Sequence, residues 1–140
     1  MLTLFAVPKG FEGLSAIIQR NAVSSWTLLR PRPRILFFGD DPGVAEAAAR
    51  LRVEHHPQVA RNEWGTPLLR DVFRQAHGLT SDQALLCYVN ADIILQSDFV
   101  QTVDSMQVEH KDVTEAGPGA SVGVRVPQKV HEGDVVYVVS

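Results

Sequence analysis

Ile35-Leu36-Phe37-Phe38-Gly39-Asp40-Asp41-Pro42 is the stretch on which the reading of this chain turns. Four consecutive apolar residues, one β-branched and two aromatic, suit a strand that is buried on both faces. Gly39 stops the run, two carboxylates follow, and Pro42 fits the first turn of a helix that Asp41 can cap. Val44, Ala47, Ala48 and Leu51 then mark one apolar face at helical spacing. A strand that is apolar on both sides and runs into a helix is the repeating unit of a parallel sheet.

The same rhythm extends in both directions from this stretch. Upstream, Leu2-Thr3-Leu4-Phe5-Ala6-Val7 is a short apolar run stopped by Pro8, which reads as another buried strand. Ser15 to Leu29 follows at helical spacing, with Ile18, Ala22, Trp26 and Leu29 on one face, and Pro31 and Pro33 end it. Downstream, Arg52 to His55 suits a short strand, and Thr66-Pro67 suits a helix start. Leu68, Leu69, Val72, Phe73, Ala76 and Leu79 continue that helix, and His77-Gly78 sits at its close. Leu85 to Leu95 contains a fourth strand, broken in polarity at Asn90-Ala91-Asp92. The β-α-β-α-β-α-β order of residues 1–98 predicts an α/β fold, a Rossmann-like parallel sheet with helices on both faces. Ligands of such sheets bind at the carboxyl ends of the strands. Here those ends carry Val7-Pro8-Lys9, Gly39-Asp40-Asp41 and Asn90-Ala91-Asp92.

Residues 99–140 change character. Val103 to His110, Ser121 to Val126 and Asp134 to Val139 alternate at least in part, and Gly117-Pro118-Gly119 and Glu132-Gly133-Asp134 read as turns. The expectation is a short antiparallel β segment with open edges.

Length and composition set the bounds. With 140 residues, 45% hydrophobic and 21% charged, the chain is one domain, or one domain with a small appendage. Collagen-like, coiled-coil and wholly disordered classes are excluded. No run of about 18 apolar residues exists, so no membrane span is expected. Met1 to Val7 lacks the basic flank of a signal peptide, and a cytoplasmic location is the expectation. Net charge is −3. Residues 1–100 carry 10 basic and 10 acidic side chains, and residues 101–140 carry 3 and 6. Without a basic field over the whole chain, neither nucleic acid nor the ribosome is an expected partner. One cysteine, Cys87, excludes an intramolecular disulfide and reads as a small core residue.

The chemistry lies at the strand ends. Asp92 can hold a divalent cation against a diphosphate, because hard cations prefer oxygen ligands, or it can cap the turn that follows. Asp40 can accept hydrogen bonds from a nucleobase or ribose, while Asp41 also suits a helix cap. Lys9, Arg20 and Arg61 can pair with phosphate oxygens or stand as solvated surface charges. His55-His56 is not a metal motif, because adjacent strand residues point to opposite faces and no third ligand follows. No Gly-x-Gly-x-x-Gly, P-loop or nucleophile-elbow sequence occurs.

The first strand, Ile18-Gln19-Arg20-Asn21-Ala22-Val23-Ser24-Ser25-Trp26, Phe37-Phe38-Gly39-Asp40 and Tyr88-Val89-Asn90-Ala91-Asp92-Ile93-Ile94-Leu95 together resemble the nucleotide-binding half of a GT-A glycosyltransferase, related to family 2. The likeness spans residues 1–98. It implies a nucleotide-sugar ligand that Val7, Pro8, Lys9, Asp40, Arg61, Asn90 and Asp92 would bind, with the Arg61–Thr66 loop close to it. Asn90 and Asp92 would take the place of the metal-binding Asp-x-Asp motif and hold Mn or Mg. Asn90 stands where the first Asp of that motif would be, so it offers an oxygen without a charge. In that family the acceptor site and the catalytic base come from sequence beyond the motif, and no catalytic residue is assigned here.

Residues 99–140 carry a second likeness. Asp98 to Lys111, Gly119, Val122 to Val126 and Val130 to Tyr137 resemble the later half of the β-barrel of domain 2 of elongation factor Tu, as found in small translation-elongation-factor-like proteins. The two likenesses meet near Ser97-Asp98-Phe99, as in a chimera. Two functions follow as expectations. One is metal-assisted nucleotide-sugar binding by a glycosyltransferase-like half-domain, with transfer in doubt because no acceptor half follows. The other is a non-catalytic fusion or scaffold with a translation-factor-like interaction module, for which open β edges imply self-association.

Overall fold

The computed structural model describes residues 1–82, 84–104, 106–108, 111–112 and 123–124, with side chains as far as Val103. Its centre is a four-stranded, all-parallel sheet in the order β3-β2-β1-β4. β1 spans Leu2–Ala6, β2 Arg34–Phe38, β3 Glu54–His56 and β4 Leu85–Tyr88. Helices α1 (Gly13–Thr27), α2 (Val44–Leu51) and α3 (Leu69–Gly78) make the three crossovers. The expected α/β class and parallel sheet are what the structure has.

Side-chain alternation and connection handedness together cover both faces. Leu4, Ala6, Ile35, Phe37, Cys87 and Val89 pack with Val23, Trp26, Leu29, Val44 and Ala48 from α1 and α2 and the residues beyond them. Phe5, Leu36 and Phe38 point the other way, against Val72 and Ala76 of α3. The first two crossovers advance from β1 to β2 to β3, and the third returns past them to β4. Right-handed crossovers that reverse direction must lay their helices on opposite faces. An aromatic group fills the α3 side, where the Phe5 ring meets Phe38, Phe73 and Tyr88 edge-on at 4.9–6.3 Å.

Several elements depart from the spacing-based reading. The buried face of α1 is Ala16, Gln19, Ala22, Val23 and Trp26, and Ile18 is 42% exposed. Ala22, Trp26 and Leu29 are buried as expected, and Gln19, held by hydrogen bonds to the loop after β1, takes the inward position in place of Ile18. Asp41 does not cap α2 with its side chain. Gly43 occupies the N-cap at φ +81°, Asp41 contributes only its carbonyl to Val44 N–H at 3.1 Å, and its carboxylate is taken by Arg61. α3 begins at Leu69 rather than at Pro67, because Pro67 bridges to Arg61 in an antiparallel pair.

Helical spacing does not end at residue 98. Phe99–Asp104 forms helix α4, with Val100 and Val103 buried and Val100 in the same cluster as Trp26. Beyond it, β5 (Met106–Val108) pairs antiparallel with β6 (Lys111–Asp112) and β7 (Gly123–Val124). The rest of the expected β segment, including both turns and the 134–139 strand, lies outside the described residues. Among the described residues no helix is long and apolar enough to cross a membrane.

Candidate functional site

Strand order determines which loops meet. Connections leave β1 toward β2 on one side, while β4 lies on its other side, so the switch in direction falls between β1 and β4. Ligands of open α/β sheets bind outside the carboxyl ends at such a point. Here the loop after β4 turns onto α1, the helix that follows β1, so the candidate crevice is the carboxyl edge that runs from β4 past β1 to β2. Phe5 pairs with Tyr88 and Ala6 with Phe37, and Val89 N–H donates to Phe5 O at 3.0 Å. Beyond these pairs β1 leaves the sheet toward α1, where Gln19 takes the Lys9 backbone. Asn90 follows β4 and Asp40 follows β2, so β1 lies between the two strands that carry them.

Each loop is held by a different device. The loop after β1 is clamped by Gln19, whose Oε1 accepts from Lys9 N–H at 2.8 Å and whose Nε2 donates to Lys9 O at 3.0 Å. One buried amide thus satisfies both backbone groups of Lys9, as a neighbouring strand would, and leaves the Lys9 side chain exposed. Pro8 is buried and Val7 half-buried. The loop after β4 is a tight turn closed by Ile93 N–H to Asn90 O at 3.1 Å. It is tied to α1 twice: Trp26 Nε1 donates to Ile93 O at 2.8 Å, and Leu95 N–H donates to Ser25 Oγ at 2.9 Å.

The loop after β2 is held by charge. Arg61 Nη2 lies 2.9 Å from Asp40 Oδ1 and 3.0 Å from Asp41 Oδ1, and Arg61 Nη1 donates to Gly65 O at 2.7 Å. Gly39 sits beneath at φ +98°, where a Cβ would lie 3.6 Å from Arg61 Nη2 and 3.9 Å from Val7 Cγ1. Its left-handed conformation favours glycine, while a Cβ there would meet Arg61 and Val7 only at ordinary contact distance. His55 Nε2 is 2.7 Å from Gly39 O, and Gly39 N–H donates to His56 O at 3.0 Å. His55 therefore serves the turn of the strand end.

The residues picked from sequence are distributed accordingly. Asp40 and Arg61 come together, with Val7 beside them at Gly39. Arg61 is already engaged by two carboxylates and a carbonyl, so its first task is to hold the Arg61–Thr66 loop. Asp40 is largely exposed and makes no hydrogen bond through Oδ2 among the described residues. Asn90 and Asp92 sit at the other side of the crevice, both exposed. Asp92 makes no capping hydrogen bond among the described residues. Its charge acts on Tyr88, whose phenol is pushed up first by burial and then by Asp92. Arg20 is exposed on α1.

Three participants were missed from sequence. Gln19 gave a faint signal, a polar residue one position from the expected apolar stripe. Asp41 as an Arg61 partner gave none, because the two lie twenty residues apart. Asp71 on α3 fixes the approach to Arg61. Its carboxylate accepts from Ala60 N–H at 2.7 Å, from Arg74 and from Gln75 Nε2 at 2.9 Å, and it is held below the usual carboxylate range chiefly by the Ala60 bond. An open groove of about 840 Å³ runs along this side, with Asp40, Gln58, Arg61, Asp71, Arg74 and Gln75 on its walls.

Among the described residues no three His, Cys, Asp or Glu side chains converge as a metal cage. Asn90 and Asp92 offer one amide oxygen and one carboxylate. That donor set fits a magnesium-type ion that keeps most of its ligands as water and phosphate, not an ion retained by protein alone. Comparison of the chain with protein-family models, with curated proteins and with solved structures returns no match.

Proposed function

We propose that the chain binds a nucleoside-diphosphate sugar across the carboxyl ends of β4, β1 and β2, with donor binding rather than sugar transfer as the activity of residues 1–98. The observation that carries this reading is the strand order 3-2-1-4, whose direction switches between β1 and β4, with Asn90 and Asp92 just beyond β4 and Asp40 two strands away beyond β2. In this reading Asp40 accepts from a base or ribose group through its unbonded oxygen. The Lys9 ammonium, exposed between the two sides, meets a phosphate oxygen. Val7 and Pro8 form the apolar floor, and Arg61 holds the loop that borders the sugar-nucleotide. Mg or Mn, when bound, would neutralise the diphosphate, with Asn90 and Asp92 supplying the protein oxygens. The sequence resemblance of residues 1–98 to the GT-A nucleotide-binding half supports the same assignment.

Thermal unfolding with UDP-, GDP-, dTDP- and CDP-sugars, each with and without Mn, tests it. A ligand that binds only the native state adds about 2.7 kcal/mol at a hundred times its dissociation constant, enough to raise the midpoint by several degrees. The expected result is a rise with one nucleotide that is larger with metal, lost in Asp92→Asn and reduced in Asp40→Asn. A cooperative transition that no nucleotide moves overturns the proposal.

A further inference from the structure

Arg30, Arg32 and Arg34 alternate with Pro31 and Pro33, and Arg50 and Arg52 flank the end of α2. Half of the ten basic residues in 1–100 thus fall in two short stretches. Folding brings the two together at the amino end of the sheet, opposite the candidate site, where Arg32 Nη2 donates to Arg52 O at 3.1 Å. Between them lies a cleft of about 240 Å³ lined by Arg32, Pro33, Arg34, Arg52, Val53 and Glu54.

Part of this charge is structural. Arg34 grips Glu54 through two hydrogen bonds of 2.6 and 2.7 Å and also reaches Leu79 O, which locks β2 to β3. Arg30 donates to Thr27 O and Leu29 O, so it caps the end of α1. Arg32 covers the last carbonyls of α2 through one nitrogen. The guanidiniums of Arg50 and Arg52 have no hydrogen bond or ion pair among the described residues. The cleft guanidiniums of Arg32, Arg34 and Arg52 face one carboxylate, Glu54, and the carboxyl ends of α2 and α3 at about half a negative charge each, which leaves about one positive charge, with Arg30 and Arg50 in the flanking segments. Arg52 reaches the cleft from a left-handed backbone, φ +54°, the conformation that a glycine would adopt more easily at a helix end.

We infer that this arginine cleft is a second binding site, for a phosphoryl-bearing anion, distinct from the nucleotide crevice. Arg32 and Arg52 would share the phosphoryl oxygens through charge-assisted bonds, with the Arg34–Glu54 pair as a neutral wall. The cleft suits one or two phosphoryl groups, free or carried by a larger molecule.

Titration with inorganic pyrophosphate, followed by calorimetry at fixed ionic strength without divalent metal, tests the inference, with sulfate and a 5′-phosphorylated short oligonucleotide as parallel probes. The expected result is saturable pyrophosphate binding that Arg61→Ala and Asp92→Asn retain and that Arg52→Gly weakens about tenfold or more. Arg52→Gly relieves the left-handed backbone, so its unfolding midpoint should hold or rise, and lost binding cannot then be lost fold. Arg52→Lys keeps the charge but not the fork, and should bind between the two. Binding of pyrophosphate alone marks a free anion as the ligand, and tighter binding of the oligonucleotide marks a polymer end. No saturable binding, binding unchanged in Arg52→Gly, or binding lost instead in Arg61→Ala overturns the inference without touching the nucleotide reading.

Discussion

The two sides of the crevice are built on different physics. Beside β4 and β1, the loops hang from buried neutral donors and acceptors: the Gln19 amide on Lys9, the Trp26 indole on Ile93 O and the Ser25 hydroxyl on Leu95 N–H. Beside β2 and β3, the loops are tied by charge at or near the surface, Arg61 to Asp40 and Asp41, and Asp71 to Ala60 and Arg74. Buried neutral bonds are costly to leave half-made and indifferent to salt. Exposed ion pairs contribute little net energy and weaken as salt screens them. One side is therefore fixed by the fold, and the other is adjustable by solution conditions or by a ligand.

Substitutions on the fixed side should break this contrast most visibly. Trp26 is fully buried, and Trp26→Ala removes both a core ring and the tie to Ile93 O; a loss of about 3–5 kcal/mol is expected from denaturant titration. Trp26→Phe keeps most of the ring and strands the Ile93 carbonyl, for about 1–3 kcal/mol. Gln19→Leu leaves both backbone groups of Lys9 without their partner, and a loss of about 1–3 kcal/mol is expected, with no dependence on salt. A loss below about 0.5 kcal/mol in Gln19→Leu would mean that water replaces the amide and that this side is not rigid.

Acid should act on the charged side. Asp71 on that side and Glu54 at the opposite, amino end of the sheet are both held below the usual carboxylate range, Asp71 first by the Ala60 bond and Glu54 first by Arg34. A carboxylate whose folded value is depressed contributes stability above its unfolded value, near pH 4, and loses that contribution as pH falls toward the folded value. Stability should therefore decline below about pH 4.5, and Asp71→Asn should flatten that decline. Urea titrations across pH 3–6 read the slope, and an unchanged slope in Asp71→Asn removes that carboxylate from the account.

Arg61→Ala should cost only about 0–1 kcal/mol in stability, and that cost should shrink further in high salt. Its larger effect should be on the Arg61–Thr66 loop, seen as faster amide exchange at Asn62 and Thr66, which the loop now closes on itself. The smallest perturbation is a chemical one. The Cys87 thiol is buried and pushed up to about 11, so it should resist alkylation at pH 8 until the chain unfolds. Rapid labelling of native protein would show that the β4 side opens readily.

Much of this architecture was legible in local pattern. Ile35-Leu36-Phe37-Phe38 and Leu2 to Ala6 are strands because unbroken apolar runs of that length have no other easy way to bury both faces. Leu69 to Gly78 is a helix because Val72 and Ala76 recur at its period. Lys9, Asp40, Asn90 and Asp92 stand exposed beyond the strand ends, with the apolar Val7 and Pro8 beneath at the end of β1. Most of the α1 face was legible, but not all of it: Ile18 suited the stripe by hydropathy, and Gln19 is buried instead, bonded to both backbone groups of Lys9. α4 was missed because one and a half turns carry too few residues to show a period.

By itself, then, the sequence determined the four strands of the parallel sheet, the three helices that cross between them, and that the carboxyl ends carry Asp40, Asn90 and Asp92. These follow from burial and period, which are local properties of a chain. Only the tertiary structure decided that β4 lies beside β1, that Arg61 is shared by Asp40 and Asp41, and that arginines from two separate turns line one cleft. Strand order depends on where a crossover returns, and ion pairs between residues twenty positions apart depend on that return. No residue's type or near neighbours encode it, because the free energy that selects it belongs to the assembled core.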